Sequence, residues 1–323
     1  MKILVAGGAG FIGSHLCQRL LNEKYEIVCV DNLLTGSRKN IEPFLKNKNF
    51  TFINHDIIHP IKNPPAIGAI FHLASPASPN HHSPLSFHSL PMETMLANSV
   101  GTLELLKLAK KFKARFLFAS TSEVYGDPEK HPQKEDYRGN TSTTGPRSVY
   151  DESKRFGETL TAYFWRKEGV DARIARIFNT YGPNMLKDDM RMILNFITQA
   201  LSNKPITVFG DGTQTRSLCY VDDLVEGIIR LMFYPKTART IVNIGSTEER
   251  TVLEYAQLVK KATGSASKIV FGEQLPQDDP KKRKPDITKA KKLLNWQPKV
   301  RLEEGLRKMV SYYEKSSHYN TNI

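Results

Sequence analysis

At 323 residues the chain is long for one minimal core and has room for a large α/β domain with a second lobe. Its 40% hydrophobic and 9% aromatic content excludes wholesale disorder, and no apolar run reaches the ~18–20 residues of a membrane span. The net charge of +13, with a run at Lys281-Lys282-Arg283-Lys284, raises nucleic-acid binding; no zinc finger, leucine zipper or aromatic-interleaved RNA motif accompanies it, and attraction of a small polyanionic substrate accounts for it better.

The first half alternates strand and helix. Lys2–Ala6 reads as an apolar strand that begins directly after Met1, without the longer apolar stretch of a secretory signal, so a cytosolic protein is expected. Residues 11–21 have helical periodicity, and strands follow at 26–30, 50–54 and 68–73. The spacing predicts one long helix over 93–112, with Leu96, Val100, Leu103, Leu106 and Leu108 on or near its apolar face. A fifth strand at 115–119, a helix at 148–168 and a sixth strand at 172–177 complete the pattern. Beyond Asn179 it loosens into helices at 191–201, 222–233, 251–263, 288–294 and 302–313, with short strands at 205–209 and 240–244. Alternation of this kind predicts an α/β fold: a Rossmann-like doubly wound parallel sheet with a smaller C-terminal substrate-binding lobe. Residues 1–180 are expected to form the dinucleotide domain and 181–323 mainly the second lobe, with segments near 215–245 returning to the first. Proline-rich loops at 60–65, 76–84 and 276–285 interrupt the elements, as loops around active sites often do.

Three scattered cysteines, Cys17, Cys29 and Cys219, form no Cys-x-x-Cys pair and predict neither a disulfide framework nor a structural metal site. His81, His82 and His88 share a proline-flanked loop without a carboxylate in it, and are read as a solvated loop, not as metal ligands.

The glycines of Gly7-Gly8-Ala9-Gly10-Phe11-Ile12-Gly13 lie between the first strand and the first helix. They allow a tight turn and close backbone approach, so that a pyrophosphate rests on the helix N-terminus. Gly7, Gly10, Phe11, Ile12 and Gly13 are therefore expected to hold NAD. Asp31 ends the second strand 18 residues beyond Gly13, where an acid accepts from the adenosine ribose and repels a 2′-phosphate. Asn32, Leu34, Thr35 and Gly36 follow it as further cofactor contacts. Asp56 and Ile57 after the third strand, Leu73, Ala74 and Ser75 after the fourth, and Thr180 after the sixth all sit at strand C-termini, where ligands bind in this architecture.

Tyr150 and Lys154 stand one turn apart on a helix face, and an ammonium beside a phenol favours the phenolate as a base for an alcohol proton. Thr121, Ser122 and Glu123 lie just beyond the fifth strand. The hydroxyls suit a sugar hydroxyl, and Glu123 adds an acidic group beside redox chemistry. This constellation resembles the extended short-chain dehydrogenase/reductase superfamily, which acts largely on nucleotide sugars. A 4,6-dehydratase of that kind uses an Asp-Glu pair where this chain has Ser122-Glu123, while an epimerase needs only oxidation, rotation and reduction.

Longer stretches are more specific. His72 through Pro79, Ser120 through Pro128, Gly145 through Glu152, Ala175 through Pro183, Gln214-Thr215-Arg216 and Asp278 through Asp286 closely resemble the UDP-glucuronic acid decarboxylase family over nearly the whole chain. The resemblance implies oxidation at C4, loss of carbon dioxide from the 4-keto acid and re-reduction, with no net oxidant consumed. It further implies Tyr150 as base, Lys154 as its electrostatic partner and ribose ligand, Thr121 as hydroxyl anchor, and Glu123 in the decarboxylation and reprotonation stages. Ser122, Asn179, Arg191, Arg216, Tyr220 and Arg283 would hold the UDP-sugar, and a homodimer would form through helices 93–112 and 148–168, with neither nucleic acid nor membrane as partner. Departures occur as well. Loop 80–88 lacks a tyrosine common in the family, Leu96-Ala97 replaces a Lys-Thr pair, and Leu186 and Met190 replace a His and a Gly.

Overall fold

The computed structural model describes residues 1–275 and 277–318; Pro276, which opens the last proline-rich loop, lies outside the described residues. Seven parallel strands form the central sheet: β1 (Lys2–Ala6), β2 (Glu26–Asp31), β3 (Phe50–Asn54), β4 (Ala69–His72), β5 (Arg115–Thr121), β6 (Ala172–Ile177) and β7 (Ile241–Ile244). Their order is β7-β6-β5-β4-β1-β2-β3. The chain runs outward from β1 on one side and from β4 on the other, which opens a crevice at the strand C-termini where the order reverses. Strands β1, β4 and β5 are apolar on both faces because helices cover both. Ile3, Val5 and Phe71 belong to one core, and Leu4, Ile70 and Phe116 to the other.

Helix α1 (Phe11–Asn22) rises directly from the glycine turn and buries Leu16, Cys17, Leu20 and Leu21. All three cysteines are buried free thiols. The expected long helix begins earlier, at Pro91, and is not regular: Pro91–Leu96 and Thr102–Phe112 flank a π-turn at Ala97–Gly101. The wider turn advances the register, so Leu105, Leu106 and Ala109 are buried while Val100 is exposed. It also turns Asn98 inward, where its amide donates to Ser75 Oγ at 3.0 Å and Ser153 Oγ at 3.1 Å.

After β6 the chain builds the other side of the cleft from helix Met192–Leu201, helix Val252–Thr263 and the parallel pair Ile206–Val208 with Ile269–Phe271. Between them the chain revisits the main sheet, because Ile241–Ile244 pairs in register with Ile174–Ile177. Helix Val221–Phe233 packs beside α1. The apolar contacts of that helix merge one face of the sheet and the C-terminal segments into a single core. Among the described residues no helix is long and apolar enough to cross a membrane.

A buried polar knot holds β6 to its surroundings. Arg176 on β6 donates to Glu158 of helix Ser148–Lys167 at 2.8 and 2.9 Å, and to Tyr125 Oη at 3.0 Å. Tyr125 in turn donates to Asn243 on β7 at 2.7 Å. Removing one partner of such a pair leaves the other charge unpaired in a largely buried setting. Arg176→Met is expected to lower the urea unfolding midpoint by the equivalent of about 3–5 kcal/mol; an unchanged midpoint would show that the knot is not holding the sheet edge.

Candidate active site

A cleft of about 570 Å³ runs along the C-terminal ends of the strands, between the sheet and the C-terminal segments. One end is built for a dinucleotide. Gly7 has φ +80°, and a Cβ there would lie 2.7 Å from Ala74 N. A Cβ at Gly13 would overlap the Gly7 carbonyl oxygen, so α1 could not start so close to the turn. The N-terminus of α1 has neither a side-chain cap nor an acid in its first turn, which leaves its N–H groups free for an anion. Asp31 accepts from Ala9 N at 3.0 Å and Leu33 N at 2.8 Å, and a Cβ at Gly36 would come 2.7 Å from its Oδ1. Asn32, Leu34 and Thr35 line the same end with Asp56, Ile57, Leu73, Ala74, Ser75 and Thr180. These features fit NAD: a bare helix terminus for the pyrophosphate and a carboxylate for the adenosine ribose.

Toward the middle stand Tyr150 and Lys154, from the first turns of helix Ser148–Lys167, which passes behind β5. Lys154 Nζ donates to Ala119 O at 2.9 Å and lies 5.7 Å from the Tyr150 ring. Burial brings the Lys154 ammonium down to about 7, against the pull of Glu158. Burial likewise pushes the Tyr150 phenol up to about 12; a hydrogen bond with Thr121 opposes the rise and the charge of Glu123 adds to it. The other face of Tyr150 is covered by Phe87, whose ring stacks on it at 4.9 Å and 8°. Phe87 is fully buried, and Arg147 lies 5.5 Å from its centroid. His81 and His82 are exposed, as expected for the histidine loop, while its Phe87 end forms a wall of the site.

Glu123 is the most constrained acid in the cleft. Its Oε1 accepts from Arg283 Nη1 at 2.5 Å, and its Oε2 from Arg147 Nη2 at 2.5 Å and Arg283 Nη2 at 3.2 Å. Burial alone would raise its pKa; the two guanidiniums, Arg283 first, outweigh burial and hold it at about 2. Arg283 also donates to Ser122 Oγ at 2.8 Å. The chain of charges continues through Asp279, which pairs with Arg147 at 3.2 Å and Arg216 at 2.7 Å. Of the basic run 281–284, Arg283 is buried inside this network, while Lys281 and Lys282 are exposed.

Of the expected substrate residues, Ser122, Asn179, Arg191, Arg216 and Arg283 line the cleft. Tyr220 does not. Its ring is buried against Tyr181 at 5.5 Å, beneath Lys308, because the strand turn before helix Val221–Phe233 points it into the C-terminal packing. Arg147, Asp279 and Phe87 belong to the site and were not among the expected residues. Arg147 stands right before the helix that carries Tyr150, a placement that could have drawn attention to it; Asp279 and Phe87 carry no comparable signal. Met190, found where the family has a Gly, adopts φ +54°, a conformation that glycine takes without strain.

The family to which this geometry points is confirmed by comparison. The chain belongs to the NAD dependent epimerase/dehydratase family, which matches residues 3–245. Within it, the chain is 47% identical to UDP-glucuronic acid decarboxylase 1 of Danio rerio over 99% of its own length and 74% of that protein. It is 50% identical to UDP-glucuronic acid decarboxylase 3 of Arabidopsis thaliana, over 95% of this chain and 87% of that one. Among solved structures, UDP-glucuronic acid 4-epimerase from Bacillus cereus in complex with UDP-glucuronic acid and NAD superposes with a TM-score of 0.85. The two are 32% identical, over 98% of this chain and all of the other.

The Glu123 clamp carries a pH signature. A carboxyl lowered from 4.5 to about 2 on folding stabilises the protein fully above its unfolded pKa. That contribution, about 3 kcal/mol for such a shift, is lost as pH falls from ~4.5 toward ~2. Glu123→Gln is expected to be less stable than the parent at neutral pH, with a correspondingly shallower loss between pH 4.5 and 3 in urea titrations. Parallel curves for the two proteins would show that Glu123 is not ion-paired in solution.

Proposed function

We propose that this chain is an NAD-dependent carboxy-lyase that converts UDP-glucuronate to UDP-xylose. One observation carries the reading furthest: an ionised Glu123, clamped by Arg147 and Arg283, stands beside the Tyr150–Lys154 pair with Ser122, not an acid, before it. That arrangement lacks the acid–base pair for eliminating water, and its guanidiniums suit a second anionic group on the sugar. The 47–50% identity to proteins named UDP-glucuronic acid decarboxylase supports it.

NAD bound along the glycine turn would supply the hydride acceptor for C4 and return the hydride after carbon dioxide has left. Tyr150 would take the proton of the C4 hydroxyl, which Thr121 positions. Lys154, when charged, favours the phenolate, and Phe87 keeps water from that face of the ring. With C4 a ketone, the C6 carboxylate is β to it, so the electrons of the breaking C5–C6 bond pass into the carbonyl. Glu123, its carboxyl drawn down by Arg283 and Arg147, is held as a carboxylate beside the reacting end, where it would act in the decarboxylation and reprotonation stages. Arg191, Arg216 and Arg283, with Asn179 and Ser122, would hold the UDP-sugar. In this reading residues 1–180 carry the cofactor and 181–323 mainly the nucleotide sugar. The buried free thiols suit a reducing compartment such as the cytosol.

A homodimer fits the surface. Met92 and Val100 on one helix, with Phe156 and Tyr163 on helix Ser148–Lys167, are exposed apolar side chains on the two helices expected to pair. Sedimentation of Phe156→Glu is expected to give a monomer where the parent gives a dimer; equal masses for the two would remove these helices as the interface.

Incubation with UDP-glucuronate and NAD is expected to yield carbon dioxide and UDP-xylose. UDP-galacturonate without carbon dioxide would instead make the chain a 4-epimerase. Tyr150→Phe should lower turnover by ~10²–10⁴-fold, the usual contribution of a positioned acid–base group. Glu123→Gln should still reduce some NAD and then stall; full turnover in that variant would remove Glu123 from the chemistry.

A further inference from the structure

Loop 76–88 contains a second cluster unrelated to hydride transfer. His81 lines the rim of the cleft with His82 next to it, and Glu273, beyond strand Ile269–Phe271, comes across from the C-terminal segments to meet them. Glu273 Oε2 lies 3.0 Å from His82 Nε2 and 3.4 Å from His81 Nε2, and the two imidazole centroids are 4.0 Å apart. One donor atom from each residue falls within 4.8 Å of the other two. A tetrahedral zinc ion with ligands at ~2.0–2.1 Å sets its donors about 3.3 Å apart, so small side-chain adjustments bring all three into its shell. The carboxylate that the loop lacks in sequence is supplied from nearly 200 residues away, as the His82–Glu273 separation of 191 shows.

Both halves of the cluster are held in place. Asn80 Nδ2 donates to Met190 O at 2.8 Å, Ser78 Oγ to Asp189 O at 2.6 Å and Ser83 Oγ to Asp188 O at 2.5 Å. Asn80 Oδ1 accepts from His82 N at 2.9 Å, fixing the histidine backbone. On the opposite side Glu273 O accepts from Gly210 N at 2.8 Å. A site preorganised this way loses little conformational entropy on binding a metal.

We propose that His81, His82 and Glu273 form a binding site for a first-row divalent cation, Zn²⁺ foremost, that clamps loop 76–88 to the C-terminal segments across the cleft mouth. Two imidazoles and one carboxylate suit zinc, whereas magnesium and calcium take oxygen donors. His81 lines the cleft with Phe209 and Leu275, so the clamp closes the rim by which ligands pass. The same loop presents Phe87 to Tyr150, which couples the clamp to the reacting end. Zinc is therefore a reversible brake on turnover.

The test uses the full chain without a histidine tag, with Zn²⁺ competed against a chromophoric chelator. One equivalent is expected to bind, and His82→Ala and Glu273→Gln are each expected to weaken it by roughly 100-fold. Neither side chain lies in the catalytic machinery, so metal-free turnover and thermal midpoint should match the parent. Zn²⁺ should slow the parent, a chelator should restore it, and both variants should resist. Unchanged affinity in both variants, or no binding at Zn²⁺ concentrations that saturate the chelator, would overturn the site. Binding that leaves the parent's rate untouched would overturn the brake.

Discussion

Glu123 sits between Arg147 and Arg283, and much of the site's architecture follows from satisfying that one buried carboxylate. Glu123, just past the end of β5, takes its two partners from distant parts of the chain: Arg147, the residue before helix Ser148–Lys167, and Arg283, 160 residues beyond Glu123. Buried charges persist only where opposite charges and hydrogen bonds replace water. The segment carrying Arg283 is therefore drawn in against Ser122 and Gly126, and Asp279 and Arg216 extend the alternation outward. The excess of positive charge in the composition is spent partly here, as guanidiniums facing a cleft.

Electrostatics and desolvation work in opposite directions on neighbouring groups. Burial raises the Tyr150 phenol and lowers the Lys154 ammonium, which makes both less charged than in water, while the arginines overcome burial at Glu123. The cleft thus holds Tyr150 and Lys154, whose charged forms burial disfavours, close to a carboxylate that two arginines keep ionised and that lies 27 residues before Tyr150 in sequence. Phe87 sharpens this contrast by sealing one face of Tyr150. Asn98, Ser75 and Ser153 supply a polar floor behind it, made possible by the π-turn that rotates Asn98 inward.

Elements with strong local signals were legible. The glycine turn, Asp31, and the Tyr150–Lys154 pair each depend on residues close together in sequence, so their spacing carries their geometry. The register of the helix after β4 was not legible, because a π-turn changes the period that a regular helix would keep. Tyr220 failed for a related reason: its neighbourhood is motif-like, but the direction of its ring is set by packing against Tyr181. The histidines of loop 76–88 read as solvated, and His81 and His82 are exposed; what the sequence does not show is that Phe87 anchors the loop and Glu273 reaches it from the other side of the cleft.

The sequence by itself determined the doubly wound sheet, the glycine turn and the Tyr150–Lys154 pair on one helix face, since each rests on periodicity or short spacing. It also singled out Glu123 as the residue that distinguishes this site. Only the tertiary structure decided the setting of Glu123: a carboxylate between two arginines whose charges draw its pKa down. That outcome depends on which charges lie within a few ångströms inside a region without water, and residues 123, 147 and 283 acquire those distances only when the chain has folded.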